Sequence, residues 1–599
     1  MEQTITGAEE IRWDLTDLYA DVEALEADLA RADREAEAFA EQYRGRMASL
    51  AAAELAEALQ RFEAVQDRVG RTYTYAYLNW STDTIDAERG ALLQKVREAY
   101  TQISQKLIFF QLEWTDLDDD HAARLLDDEA LAGFYHYLER QRLLKDYLLS
   151  ESEEKILAET NVTGRSAWTR FFSETIGAMR FDFDGKELTQ QLILSKLYET
   201  DRDTRRRAAL SFTEGLETHQ RTLAFIFNTL LAEKASLDRM RGYPHWIKSR
   251  NLSNEVTDET VEALVGAVTA RYDLVARFYR LKQRLLGLDQ LFDYDRYAPM
   301  GEADTYYTWD DARDLVLSSY GAFHPQMGEI AGYFFERRWI DAPVTPGKRG
   351  GAFSHGAVPS AHPYVLMNYT GKVRDVQTLA HELGHGVHQY LSRTQGYLHA
   401  DTPLTTAETA SVFGEMLVFQ RLMQQEDNPR NKLAMLVSKI DDTLATVFRQ
   451  TAMNRFEHRI HTARREQGEL SAEQLGDFWL ETQQAMFQGS VTLGEHYRHW
   501  WSYIPHFLHT PGYVYAYSFG ELLVLALYAR YLEEGAAFPA KYLGLLAAGG
   551  SDWPHVLVGR LGIDLTDLDF WHQGLGAIED LITQAEELDA ATSNGQAGG

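Results

Sequence analysis

Apolar positions along this chain fall mostly at helical spacing. Val376, Leu379, Leu383, Val387 and Leu391 recur every three or four residues, which predicts an amphipathic helix from about Asp375 to Ser392. Long segments rich in Ala, Glu, Leu and Arg (Asp21–Tyr43, Ala51–Tyr77 and Asp86–Leu112) predict further helices, because these side chains lose little freedom in a helix. The apolar run Leu522–Leu532 reads as a buried helix, and Pro403–Leu417 as another helical stretch. Strand-like pattern is rare. Arg180–Leu188 alternates around Asp184-Gly185, a pair suited to a tight hairpin turn, and Tyr364–Tyr369 is a short β-type run just before the helix at 375–392. The expected fold is mainly α, with a small β-sheet beside that helix.

With 599 residues and only 13 Pro, the chain can bury ample core in more than one lobe. The hairpin suggests a junction: an N-terminal helical region over residues 1–195, then a catalytic part over 196–586. A tail follows at 587–599, of which Ala590–Gly599 reads as disordered. The absence of cysteine excludes structural disulfides and thiolate metal sites, and fits a reducing cytoplasm. Met1–Glu10 lacks a basic region and an apolar core, and no run reaches about 18 apolar residues, so neither secretion nor membrane spanning is expected. The net charge of −31 argues against nucleic acid and anionic membranes as partners.

Chemistry concentrates in the helix at 375–392. His381-Glu382-Leu383-Gly384-His385 is the H-E-x-x-H pattern of zinc-dependent peptide hydrolases. Residues i and i+4 stack on one helical face, so both imidazoles can converge on one ion while Glu382 sits about 100° round, beside the water that the metal activates. Gly384 and Gly386 each cost about 1 kcal/mol in a helix interior relative to Ala. Packing alone gives no reason to keep them, whereas close approach of another backbone or a substrate does.

A zinc hydrolase has three protein ligands and one open position. His388 is a poor third ligand, because seven residues separate it from His381 by about 10.5 Å along the axis, whereas two nitrogens on one zinc are only about 3.4 Å apart. It reads instead as a structural or outer-sphere residue. The following helical stretch offers Glu408 and Glu415, two turns apart on one face. A return helix would bring the Glu408 carboxylate under the metal and leave Glu415 to accept a hydrogen bond from a ligand imidazole.

Two other segments invite a substrate role. In Gly347–Gly356, Gly350 and Gly351 permit close backbone approach, and with Tyr364–Tyr369 they could form an edge strand that pairs with an extended peptide; the plainer reading is a surface loop. Near the C-terminal end, Tyr513, Tyr515 and Tyr517 alternate after His506 and His509. Neutral hydroxyls or an imidazole could donate to an oxyanion formed at the metal, while an aromatic stripe before a buried helix also suits simple packing.

Gly350-Gly-Ala-Phe, Pro363-Tyr-Val-Leu-Met-Asn-Tyr, Arg374–His388, Ala407-Glu-Thr-Ala-Ser, Ile504-Pro-His-Phe and Tyr513-Val-Tyr-Ala-Tyr together resemble the oligoendopeptidase F branch of the thimet oligopeptidase family. The resemblance implies one zinc held by His381, His385 and Glu408, with Glu382 as general base. It also implies a two-lobed, prolate helical shell around a deep channel that admits short peptides, with Gly350, Gly351, Tyr364 and the C-terminal tyrosines and histidines holding substrate and oxyanion. Within that cluster the expectation falls on Tyr517 and His506. The histidine-to-tyrosine spacing departs from the family pattern by about one residue, which leaves His509 as the alternative to His506. The sequence reading is thus a zinc endopeptidase for short peptides. A carboxypeptidase or dipeptidyl carboxypeptidase, or a non-catalytic peptide-binding protein, are the alternatives, and oligomeric state is left open.

Overall fold

The computed structural model describes residues 5–161, 163–301 and 306–596, and among these the fold is mainly α with two small sheets. Helices begin where side chains can satisfy orphan N–H groups. Asp21 accepts from Ala24 N–H at the start of Val22–Tyr43, and Asp86 accepts from Glu88 and Arg89 at the start of Ala87–Asp116. With Ala52–Ser81 these form the expected helices at nearly the expected bounds. They pack through Phe39, Phe62 and Phe110, whose ring centroids lie 5.1, 5.5 and 6.0 Å apart.

Residues 1–145, 304–425 and 530–563 form one compact unit, and residues 146–303, 426–529 and 564–599 form a second. Compactness thus groups the chain differently from the boundary expected after residue 195. Each unit gathers three separated stretches, and such long-range packing leaves no break in composition at the crossing points. The last helix, Leu568–Gln596, also runs through most of the expected disordered tail; residues 597–599 lie outside the described residues.

In the second unit the long helix Arg202–Arg241 is capped by Asp201 and closed by Gly242 at φ 77°. It buries Phe212, Leu216 and Phe227 against Trp500 and Trp501. The predicted hairpin is present: β1 (Phe181–Phe183) pairs antiparallel with β2 (Lys186–Leu188) across Asp184 and Gly185, both at positive φ. It lies inside this unit, with Phe181 fully buried on Phe212.

In the first unit β3 (Ile340–Asp341), β4 (Phe353–His355) and β5 (Tyr364–Leu366) form a sheet in the order β3-β5-β4, parallel for the first pair and antiparallel for the second. Buried Lys348 ties the loop before β4 to the sheet, donating to Asp341 Oδ1 at 2.6 Å and to the carbonyls of Pro343 and Met367 at 2.8 and 2.7 Å. The sheet packs beside the helix Val373–Ser392, as expected.

Candidate active site

Val373–Ser392 is helical because Val376, Leu379, Leu383 and Val387 all reach the core, and because Asp375 gathers the Thr370 N–H and hydroxyl at 2.7 and 2.6 Å ahead of the first turn. Its glycines are explained by contact. A Cβ on Gly384 would lie 2.4 Å from the Ala410 carbonyl and 2.6 Å from Ser411 Cα, and one on Gly386 would lie 2.5 Å from the Phe334 ring. Gly384 thus lets the segment after Glu408 come backbone to backbone with the motif helix.

Glu408 does not ride on the same helix as Glu415. A short helix, Leu404–Ala407, ends at Glu408, and a new helix, Ser411–Gln425, carries Glu415. The break turns the Glu408 carboxylate toward the histidines. Ser411 Oγ donates to Glu408 Oε2 at 2.7 Å, Tyr542 donates to the Thr409 carbonyl at 2.8 Å, and Tyr320 donates to the Ala380 carbonyl of the motif helix. Gly414 leaves room for that Tyr320 hydroxyl, which would sit 2.1 Å from a Cβ.

The resulting geometry is that of a metal site. His381 Nε2 and His385 Nε2 each lie 3.4 Å from Glu408 Oε2, and the three donors fall within 4.8 Å of one another. Two donors that share a tetrahedral ion at about 2.1 Å stand roughly 3.4 Å apart, so the residues present fit one ion. Glu415 Oε2 lies 3.5 Å from His381 Nδ1, on the far side of that ring from the donor atom, where it can fix the tautomer. His388 is buried outside the donor set; burial pushes its imidazole down to about 4, and it stays neutral. Burial opposes charge on His381, yet Glu415, Glu408 and Glu382 prevail and raise it to about 9. Burial alone would raise Glu408, but His385, His381 and Ser411 hold it at about 2. Glu382, 7% exposed, is raised by burial against the pull of both histidines. A carboxylate moved toward neutrality beside a metal site is suited to exchange a proton.

The expected substrate strand needs correction. Tyr364 belongs to β5, which is hydrogen-bonded on both sides, so it has no free edge; its side chain is fully buried against Trp13 and His362. The edge strands are β3, which is buried, and β4, which is half-exposed from Phe353 to His355 with the Ser354 N–H directed at the Glu382 carboxylate. Gly350 and Gly351 lie in the turn that enters this edge strand. Nothing crowds either residue, Gly351 takes φ 80°, and Asn368 Nδ2 donates to the Gly351 carbonyl at 2.9 Å.

In the second unit the C-terminal aromatic segment splits by role. His506 Nε2 lies 3.3 Å from the Tyr517 hydroxyl, and the Tyr513 ring stands 5.0 Å from that of Tyr517 at 80°. All three are partly exposed. Tyr515 is not part of this group: it is fully buried, and its hydroxyl accepts from Asn254 Nδ2 at 3.0 Å. His509 is likewise apart, 3.3 Å from Ser173 Oγ and edge-on to Phe172. The turn between His506 and Tyr517 is tied inward by Glu457, whose buried carboxyl accepts the Gly512 N–H at 2.7 Å.

The family model described as "Peptidase family M3" matches residues 195–577, and one described as "Oligopeptidase F" matches residues 113–181. The chain belongs to peptidase family M3. Over 585 residues it is 28% identical to oligopeptidase PepF of Bacillus subtilis, covering 96% of this chain and 87% of that one. It is also 28% identical over 594 residues to group B oligopeptidase PepB of Streptococcus agalactiae, covering 97% and 98%. A crystal structure from Chlamydophila abortus, described as a peptidase, has a TM-score of 0.86 with 27% identity over 96% of this chain and 98% of that chain. The protein is a metalloendopeptidase of the oligoendopeptidase F type. No helix among its described residues is long and apolar enough to cross a membrane.

Several supports of these two regions escaped the sequence reading. Tyr320, Tyr542, Ser411 and Glu457 act from distant positions or from inside an ordinary helical face, and nothing in their local spacing distinguishes them from core residues. The glycines gave the available signal: Gly384 and Gly414 are both expensive in helices, and both mark places where the site is clamped.

Proposed function

We propose that this protein is a cytoplasmic zinc oligoendopeptidase that hydrolyses internal bonds of short, unstructured peptides. The observation that carries this reading is the equal 3.4 Å separation of His381 Nε2 and His385 Nε2 from Glu408 Oε2, with buried Glu382 on the same helix. Two imidazoles and one carboxylate suit zinc and leave a fourth position open. His381, His385 and Glu408 would hold the zinc, which would supply Lewis-acid polarisation of the scissile carbonyl and acidify the attacking water.

The remaining steps belong to the chain. Glu382 takes a proton from the attacking water and delivers it to the departing amine, a dual role that its raised affinity for a proton favours. Glu415 and Ser411 keep His381 and Glu408 in register. Tyr517, in contact with His506, donates a hydrogen bond to the developing oxyanion, with Tyr513 beside it. The edge of β4, entered through Gly350 and Gly351, offers main-chain groups to an extended peptide.

Two assays test the proposal together. Metal analysis should return one zinc per chain, and a ten-residue peptide blocked at both ends should be cut internally only by the metal-loaded protein. A blocked peptide left intact while the free peptide loses C-terminal fragments would instead assign an exopeptidase.

A further inference from the structure

Two arginines of the second unit lie chiefly among tyrosines, and Asp293 is an acid that acts on the charge of Arg296. Arg449 ends the π-helical turn Ala445–Arg449, a helix irregularity frequent at functional sites. Its Nε is buried without a hydrogen-bond partner, and among the described residues no carboxylate lies within ion-pair distance of its guanidinium. Arg296 is 6% exposed, and its Nη2 donates to the hydroxyls of Tyr297 and Tyr497, both at 3.2 Å. Its guanidinium carbon stands 4.9 and 5.5 Å over the same two rings.

These two positive charges repel each other, and tyrosines fill the space around them. Tyr297, Tyr503, Tyr497 and Arg296 all stand close enough to Arg449 to act on its charge. The neighbouring acids are committed elsewhere. Asp441 pairs with buried Lys282, which also donates to the Arg296 carbonyl, and Asp293 accepts from His496 at 2.8 Å and from the Gly494 N–H at 3.1 Å. In a chain of net charge −31 this local excess of cations runs against the average. The site is open: Arg449, Tyr297 and Tyr503 are partly exposed, and Arg449 acts electrostatically on His506.

We propose that Arg449, with the hydroxyls of Tyr503 and Tyr297, binds a carboxylate of the peptide substrate. The inference rests on the reading that the cluster of His506 and Tyr517 faces the substrate. A guanidinium presents two parallel N–H donors to a carboxylate, phenol hydroxyls donate to the same oxygens, and a low-dielectric surround strengthens both. The carboxylate comes either from the C-terminus of the peptide or from an Asp or Glu side chain. The first source would fix how many residues follow the cleaved bond, and the second would set a residue preference.

One peptide series decides between these. kcat/KM is compared for a single sequence with a free or an amidated C-terminus, and, on the amidated form, for Glu against Gln at successive positions around the cleaved bond. In the wild-type enzyme one of these pairs should favour the acid by about 10- to 100-fold, mainly through KM, as expected for a charge-assisted contact. Arg449→Gln should bring that ratio close to one, Arg449→Lys should retain part of it, and Tyr503→Phe should lower it by a smaller factor. Should Arg449→Gln not fold, the Lys and Phe variants carry the comparison. Equal rates for every wild-type pair, or a preference that survives both the Arg449 and Tyr503 substitutions, overturns the site. Tyr517→Phe on the same peptides separates the two readings. If that variant turns over at the wild-type rate, the assignment of the cluster to the substrate fails; a slow Tyr517→Phe enzyme without acid preference removes the carboxylate site alone.

Discussion

At the metal centre, donors are fixed by backbone packed on backbone: Gly384 admits the Ala410–Ser411 turn, and hydroxyls of Tyr320 and Tyr542 tie both segments to their surroundings. At the His506 and Tyr517 cluster, by contrast, the groups flank a turn held by side chains: Glu457 accepts the Gly512 N–H at 2.7 Å, and Arg165 donates to the Leu508 carbonyl at 2.6 Å. The first arrangement is preorganised and tolerates no slack. The second sits at the starts of two helices joined by a turn that is held through side chains, which suits groups that must meet a mobile peptide. Damage to the first should therefore cost metal or chemistry, and damage to the second should cost rate with the metal retained.

The largest expected effect within the first region separates proton transfer from metal binding. Glu382→Gln should keep full metal occupancy while kcat falls by on the order of 10² to 10⁴, the usual general-base contribution; an emptied site in that variant would make Glu382 a ligand instead. In the second region, Tyr517→Phe should lower kcat by about 10² to 10³ with little change in metal content. Tyr515→Phe is its control. That substitution leaves Asn254 without its acceptor and should cost about 1–3 kcal/mol of stability in a denaturant titration, with turnover nearly intact. Should the two tyrosines behave alike, the division of the aromatic segment is wrong.

Smaller effects sharpen the contrast in packing. Gly384→Ala places a methyl against backbone, so it should cost roughly 1–3 kcal/mol and weaken metal retention against a competing chelator. Gly386→Ala meets the Phe334 ring instead and should cost stability without loosening the metal. Equal chelator sensitivity in the two variants would count against the role given to the Glu408 turn.

The smallest effect is in pH. In metal-free protein His381, opposed by burial but favoured by Glu415 and Glu408, is raised from 6.5 to about 9, so its pairing adds stability below pH 6.5 that is lost as pH rises through about 9. Glu408, held at about 2, gives the opposite limb, present above pH 4.5 and lost as pH falls toward 2. Urea titrations of stripped protein should show a decline of roughly 1–3 kcal/mol between pH 6.5 and 9. Zinc should abolish that decline, because both imidazoles then serve as neutral ligands. A stripped protein whose stability is flat across this window would deny the coupling among His381, Glu408 and Glu415.

The contrast between regions also explains what the sequence could reveal. His381, Glu382 and His385 sit within five residues, so helical geometry alone brings them together, and the distance argument against His388 agrees with its buried, separate position. Glu408 was legible as an acid at a suitable remove, but the helix break that aims it was not, since Thr409 and Ala410 carry no breaker signal. Tyr364 misled because a short β-type run gives no information on how many neighbours the strand acquires. Tyr513, Tyr515 and Tyr517 look equivalent in the sequence, and only the partner Asn254, 261 residues before Tyr515, distinguishes the packing residue. The division into two units was hidden for the same reason: contacts remote in sequence decide it.

The most direct test of the central claim is anomalous diffraction at the zinc edge from crystals of the wild-type enzyme. The account predicts one zinc peak per chain at about 2.1 Å from His381 Nε2, His385 Nε2 and Glu408 Oε2, with Glu415 hydrogen-bonded to His381 Nδ1. A peak coordinated by His388, or one that leaves Glu408 out of its ligands, would contradict it.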